Sequence, residues 1–163
     1  MSVGHEVRTV ILANLTFPAL RTKSEYESIA TCETVARIQD DLAWCDHLVV
    51  VFPLWLGSMP ALLKGLLEQV LRPRFVLEMP DHGVTKKRLR SKSVRVIVTM
   101  GMPALAYRWY YRAHSLKCLK RNVLSFCGMG PIRSSVIGMV GVASTEHHIR
   151  WLERIGQYAR KAR

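Results

Sequence analysis

No apolar run in this chain reaches the roughly 18 to 20 residues that a membrane span requires, so no spanning helix is expected. The opening "MSVGHEVRTV" has no basic segment followed by an apolar one. That excludes a signal peptide and makes the cytoplasm the expected location. The four cysteines, Cys32, Cys45, Cys118 and Cys127, form no CxxC pair and have no zinc-like spacing. In an intracellular chain they are expected to be small buried hydrophobes. Neither GxGxxG nor GxxxxGK[ST] occurs, and "LGSMP" is not a GxSxG nucleophile elbow, so no motif marks a dinucleotide fold, a P-loop or a serine hydrolase. His147 and His148 are adjacent and cannot face one metal as an i, i+4 pair would. Acidic residues are scarce, 12 against 24 Lys and Arg. Asp40 and Asp41 are expected to face solvent on a helix.

What is present is a chain of 163 residues, 49% apolar, with a net charge of +12. One domain, residues 1–163, is expected, long enough to bury a core. The charge gathers in "RPRF", "KKRLRSKSVR" and "RIGQYARKAR". Such faces suit nucleic acid, an anionic membrane surface or a phosphorylated ligand, or are simply solvated. No zinc finger, RNP strand or bZIP heptad accompanies them, which argues against a nucleic-acid partner and leaves peripheral membrane contact open.

The elements alternate. "VRTVILANL" is expected to form a strand, and "TVARIQDDLAWC" a helix with Val35, Ile38, Leu42 and Cys45 on one face. "HLVVVF" is a continuous apolar run, expected to be a strand covered on both sides. Pro60 fits the first turn of the next helix, where Leu62, Leu63, Leu66, Leu67 and Val70 form a wide stripe. "SVRVIVTMG" is a second buried strand, followed by the loop "MPALAYRWYYRAH" and the helix "SLKCLKRNVLSFCG", closed by Gly128. "SSVIGMV" is a short third strand. Ser144 can cap a last helix, with Glu146 in its first turn and "ARKAR" at its end. This alternation predicts a parallel sheet with helices on both faces.

In such a sheet, ligands bind at the carboxyl ends of the strands. Two strand ends carry unusual loops, "PLWLGSMP" after "VVVF" and "TMGMPALAY" after "VRVIV". Their flat apolar side chains and small residues would suit a planar ring. They would equally suit packing against a neighbouring element or subunit.

The stretch "HLVVVFPLWLGSMPALLKGLLEQVL", with "VTMG", Tyr107, His114 and "VLSFCGM", resembles the flavodoxin-like NAD(P)H–quinone oxidoreductases from about Val7 to the last helix. The resemblance implies a flavodoxin-like three-layer open parallel sheet and a flavin, FMN or FAD, at the strand ends. Pro53, Leu54, Trp55 and Leu56 would line the ring, with Thr99 and Gly101 beginning the second loop around it. Tyr107 and His114 would stand beside flavin and substrate, where they could stabilise developing charge. The implied activity passes hydride from NAD(P)H through flavin to a quinone-like acceptor. A homodimer is also expected, as is, in the alternative, a non-catalytic binding or regulatory subunit.

The chain departs from that family at its start. "HEVRTVILANLTFPAL" resembles the family's second strand, and the first strand, phosphate loop and first helix are not recognisable. In the order 2-1-3-4-5 the missing strand lies between the second and third. Losing about five buried side chains there would forfeit roughly 8 to 15 kcal/mol. The expectation is an N-terminally incomplete relative that binds flavin poorly, through a misassigned start, a decaying gene, or direct pairing of "VRTVILANL" with "HLVVVF".

Overall fold

The computed structural model describes residues 4–30, 32–78 and 86–162. Arg163, the end of the basic tail, lies outside them. Three parallel strands, β1 (His47–Pro53), β4 (Ser93–Thr99) and β5 (Ile132–Ile137), form one sheet in the order β1-β4-β5. The register sets His47 beside Ser93 and Pro53 beside Thr99. A separate antiparallel pair, β2 (Leu77–Glu78) and β3 (Lys86–Lys87), stands apart. The helices are α1 (Lys23–Glu27), α2 (Glu33–Trp44), α3 (Ala61–Val70), α4 (Pro73–Val76), α5 (Ala104–Trp109), α6 (His114–Cys118) and α7 (Thr145–Arg160).

Strand side chains alternate between faces, and here the two faces have different fates. Leu48, Val50 and Phe52 of β1 join Val94, Val96 and Val98 of β4 in the main core. Val35, Ile38 and Leu42 of α2 and Leu63, Leu66, Leu67 and Val70 of α3 cover that side. Each fully buried aliphatic side chain contributes roughly 1.5–3 kcal/mol. Beneath the helices, Arg72 donates to the carbonyls of Glu25 (2.9 Å) and Ile29 (3.0 Å) and to Gln69. Gln69 in turn donates to the Pro18 carbonyl, so the loop before α2 is clamped onto α3.

On the opposite face, Arg95 of β4 donates to the Ser135 hydroxyl at 3.0 Å and lies 4.0 Å beneath the Tyr158 ring of α7. Ile97 is buried there. Val49 and Val51 of β1, on the same face by register, are 50% and 62% exposed. The expectation that "HLVVVF" is covered on both sides is therefore corrected: β1 is a strand with one bare face.

Five further expectations change. "VRTVILANL" is not a strand; it is irregular, with a single 3-10 turn at Leu12–Asn14, and pairs with no strand among the described residues. Leu62 points outward from the α3 stripe. The loop "MPALAYRWYYRAH" contains helix α5. The helix expected from "SLKCLKRNVLSFCG" starts as α6 and widens into a π-helical run over Leu119–Ser125. Of the cysteines only Cys127 is buried; Cys118 is exposed and the other two are half-buried. The Ser144 cap of α7 is as expected, its hydroxyl accepting from the His147 amide.

Candidate functional site

The ends of the three strands bring their following loops to one edge. The Leu54 amide donates to the Thr99 carbonyl at 2.8 Å, fastening the end of β1 to the end of β4. Beyond it, Trp55 and Ser58 exchange two backbone hydrogen bonds, both 2.9 Å, around a two-residue turn. Leu56 (φ 47°) and Gly57 (φ 76°) are both left-handed, the arrangement of a type I′ turn. Gly tolerates that backbone; Leu is strained in it by roughly 1–2 kcal/mol. The turn nonetheless holds Leu56 fully exposed at its tip and Trp55 62% exposed beside it. Backbone strain retained at an exposed apolar tip marks a candidate contact surface.

The second loop opens at Thr99, half-buried, and Gly101, exposed, whose missing Cβ faces open space. The third loop, after β5, locks it in place. The Met139 amide donates to the Met102 carbonyl and the Val140 amide to the Met100 carbonyl, both at 3.1 Å. A Cβ on Gly138 would lie 2.4 Å from the Ala104 nitrogen and 2.7 Å from the Met102 oxygen, so only glycine permits this backbone contact. The third loop was not among the sequence-predicted elements of the site. The Gly-Met pair at residues 138–139 is its only local signal, because the partner backbone lies far away in sequence.

Pro53, Leu54, Trp55, Leu56, Thr99 and Gly101 thus lie on one edge. Tyr107 does not share their exposure. It is 2% exposed, and its hydroxyl accepts a hydrogen bond from the Leu116 amide at 3.2 Å. Burial raises its pKa above the ordinary value, with the Leu116 bond opposing. Its backbone carbonyl accepts from the Ala113 amide at 3.0 Å. Tyr107 therefore braces the turn at Arg112 (φ 50°) and Ala113 (φ 49°). His114 begins α6 and is exposed. Between them Trp109 and Tyr110 are 78% and 81% exposed. The Ser115 hydroxyl donates to that of Ser58 at 3.4 Å, connecting this segment to the first loop. Among the described residues, no group of three or more His, Cys, Asp or Glu side chains could hold a metal ion. No described helix is long and apolar enough to cross a membrane.

Fold and site define a class: an open parallel α/β protein whose candidate ligand edge is apolar, aromatic and built from strand-end loops. A family profile described as a flavodoxin-like fold matches residues 1–159, and the chain belongs to that family. The chain is 27% identical, over 107 residues, to an uncharacterised NAD(P)H oxidoreductase of Haemophilus influenzae. That match covers 65% of this chain and 52% of the relative, so the chain spans about half the length of that curated protein. Two solved structures share the fold. A protein of Klebsiella pneumoniae described as a candidate quinone reductase superposes with a TM-score of 0.78 at 19% identity, covering 96% of this chain and 72% of its own. An FMN-dependent NADH-azoreductase of Bacillus anthracis, in complex with FMN, superposes with a TM-score of 0.71 at 18% identity, covering 94% and 80%.

Proposed function

We propose that the chain serves an NAD(P)H-dependent flavin oxidoreductase, with FMN the favoured flavin and a quinone-like small molecule as acceptor. One observation carries this reading: the strained turn that holds Leu56 and Trp55 bare at the strand ends. Flavin rings are planar and apolar on their faces, and Pro53, Leu54, Trp55 and Leu56 provide a matching wall. Thr99 and Gly101 provide a second border with room for close approach. When bound, flavin would supply the two-electron chemistry between NAD(P)H and the acceptor.

The protein's part is to hold, orient and exclude water. Trp55 and Leu56 would cover the ring; Trp109 and Tyr110 would shield it from solvent. Tyr107 acts as a positioning residue, since its buried hydroxyl is engaged by Leu116. His114, exposed at the start of α6, is the imidazole this segment would present beside flavin and substrate. Relatives named for NAD(P)H oxidoreduction, quinone reduction and FMN dependence support the reading.

The wall described here borders the ring and not the phosphate end of the flavin, which makes weak binding by this chain alone part of the proposal. The same feature favours the alternative, a flavodoxin-like binding or regulatory subunit. Titrating the purified protein with FMN while following flavin fluorescence and Trp55 quenching decides between them. Saturable quenching that is lost in Trp55→Ala, with FMN-dependent NAD(P)H oxidation, supports the enzyme. Binding without oxidation leaves the subunit, and no binding removes both flavin readings for this chain alone.

A further inference from the structure

The amino ends of the strands carry a cluster of cations that the candidate site does not use. On the sheet face met by α7, the register sets His47 of β1 beside Ser93 of β4. One row further along that face it sets Arg95 of β4 beside Arg133 of β5. Neighbouring strands lie about 4.8 Å apart and successive rows of one face about 7 Å, so these four side chains form one patch. The seven residues of β1 separate it from the strand-end loops by about 20 Å.

The patch is partly built into the fold. Arg95 is buried, held by the Ser135 hydroxyl at 3.0 Å and by the Tyr158 ring at 4.0 Å. His47 and Ser93 are half-buried, and the imidazole Nδ1 lies 2.7 Å from the Ser93 hydroxyl oxygen. The Ser93 amide donates to the Asp46 carbonyl at 3.1 Å, which fixes the strand start, while Asp46 itself is exposed. Arg133 is exposed beside Arg95. Like charges directly opposite on paired strands repel, and two groups register it. The His47 pKa is lowered by burial first and then by Arg95, Arg133 and His5, three groups of one sign. The Arg95 pKa is lowered by burial, with Tyr158 opposing and Arg133 adding to the shift.

We propose that Arg133, His47 and Ser93, with Arg95 as the rear wall, bind the phosphate group of a small ligand, either inorganic phosphate or a phosphomonoester. Arg133 supplies the exposed fork of N–H donors that matches phosphate oxygens. His47 supplies an imidazole that becomes cationic once an anion offsets its neighbours. Ser93 supplies a hydroxyl between them. The positive charge of Arg95, partly withdrawn from water, acts on the bound group with less screening than a surface charge.

The arrangement selects this ligand class. Two guanidinium groups and an imidazole offer more donors and more positive charge than one carboxylate can match, whereas a phosphate dianion offers several acceptor oxygens. A nucleic acid needs cations spaced along a run of phosphates. This patch is two rows deep on three strands and is bounded by Tyr158 of α7, which suits a single phosphate group. Binding there would also offset the repulsion between Arg95 and Arg133, so the ligand stabilises the fold that holds it.

The inference does not depend on flavin, and its test reads none. The probes are inorganic phosphate and glycerol 3-phosphate, added at constant ionic strength in chloride buffer. The readouts are NMR chemical-shift titration of the backbone amides and the pKa of the His47 imidazole. The expected result is saturable binding of at least one probe with a dissociation constant below about 1 mM, with shifts centred on Ser93 and Arg133 and a raised His47 pKa. Tighter binding of the ester assigns the site to a phosphorylated small molecule, and equal binding assigns it to free phosphate. Arg133→Ala, at an exposed position, should keep the thermal melt, lose binding at least tenfold and leave the His47 pKa insensitive to phosphate. Arg133→Lys, which keeps the charge without the fork, should recover part of the affinity. Arg37→Ala, which removes an exposed arginine of α2 on the other side of the sheet, should bind as the wild type does. No saturable binding of either probe by about 10 mM overturns the proposal. So does an equal loss in Arg37→Ala and Arg133→Ala, which would mean diffuse attraction to a chain carrying +12. Binding that leaves the wild-type His47 pKa unchanged also overturns it, because the anion would then lie elsewhere.

Discussion

Leu56 gives the sharpest test, because its backbone and its side chain make opposite predictions. The residue has φ 47° and is fully exposed. Its left-handed backbone is disfavoured by roughly 1–2 kcal/mol, and its side chain buries nothing that would offset this. Leu56→Asn places a residue that tolerates the left-handed region in the same turn. Stability should rise by about 1 kcal/mol, which for a chain of 163 residues is about 2–4 °C in melting temperature. Leu56→Ala removes the side chain but keeps the strain, so its melting temperature should stay within about 1–2 °C of the wild type. If the side chain covers flavin, both variants should weaken FMN by about 1 kcal/mol, or about fivefold. Differential scanning fluorimetry and FMN titration of the three proteins read both effects. A melting temperature that falls in Leu56→Asn would refute the strain argument, because it would mean that Leu56 is packed in solution. Unchanged FMN affinity in both variants would remove Leu56 from the ring wall.

Three further outcomes follow from the same structure. Gly138→Ala drives a Cβ into the Ala104 nitrogen and the Met102 carbonyl; it should destabilise the fold by about 2 kcal/mol or more, read in a denaturant melt, and loosen the second loop around Gly101. His47 has a folded pKa below its ordinary 6.5, from burial first and then from Arg95, Arg133 and His5. The unfolded chain therefore binds the proton more tightly, so His47 contributes stability above about pH 6.5 that is lost as pH falls toward the folded value; urea melts at pH 7.5 and pH 5.5 should differ less in His47→Asn than in the wild type. The Cys127 thiol is pushed up to about 11 by burial, whereas Cys118 is exposed; at pH 8, maleimide labelling followed by peptide mapping should modify Cys118 first and Cys127 only on unfolding.

Much of the fold is legible in the chain because it is written in local patterns. Val94, Val96 and Val98 recur at every second position of a β-branched stretch, Val35, Ile38 and Leu42 lie at helical spacing, and Ser144 stands ahead of an amphipathic helix. These fixed β4, α2 and α7 without reference to anything distant. The apolar turn after Phe52 was likewise visible, since Pro53, Leu54, Trp55 and Leu56 are contiguous. The tertiary structure alone decided which surfaces those elements meet. "VRTVILANL" has the composition of a strand, yet it remains irregular, because strand structure needs the hydrogen bonds of a neighbour's edge and this stretch pairs with no strand among the described residues. "HLVVVF" reads as buried on both faces, yet Val49 and Val51 are bare, while on the same face Tyr158 of α7 meets Arg95 of β4. Tyr107 reads as an aromatic beside a ligand, yet it is buried because α5 folds it under α6, where the Leu116 amide claims its hydroxyl. Gly138 shows the same limit: its need for glycine comes from the Ala104 backbone, more than thirty residues away in the chain. Sequence sets local conformation through side-chain sterics and solvent preference; contact between distant segments sets what is covered, what is strained and what remains open to a ligand.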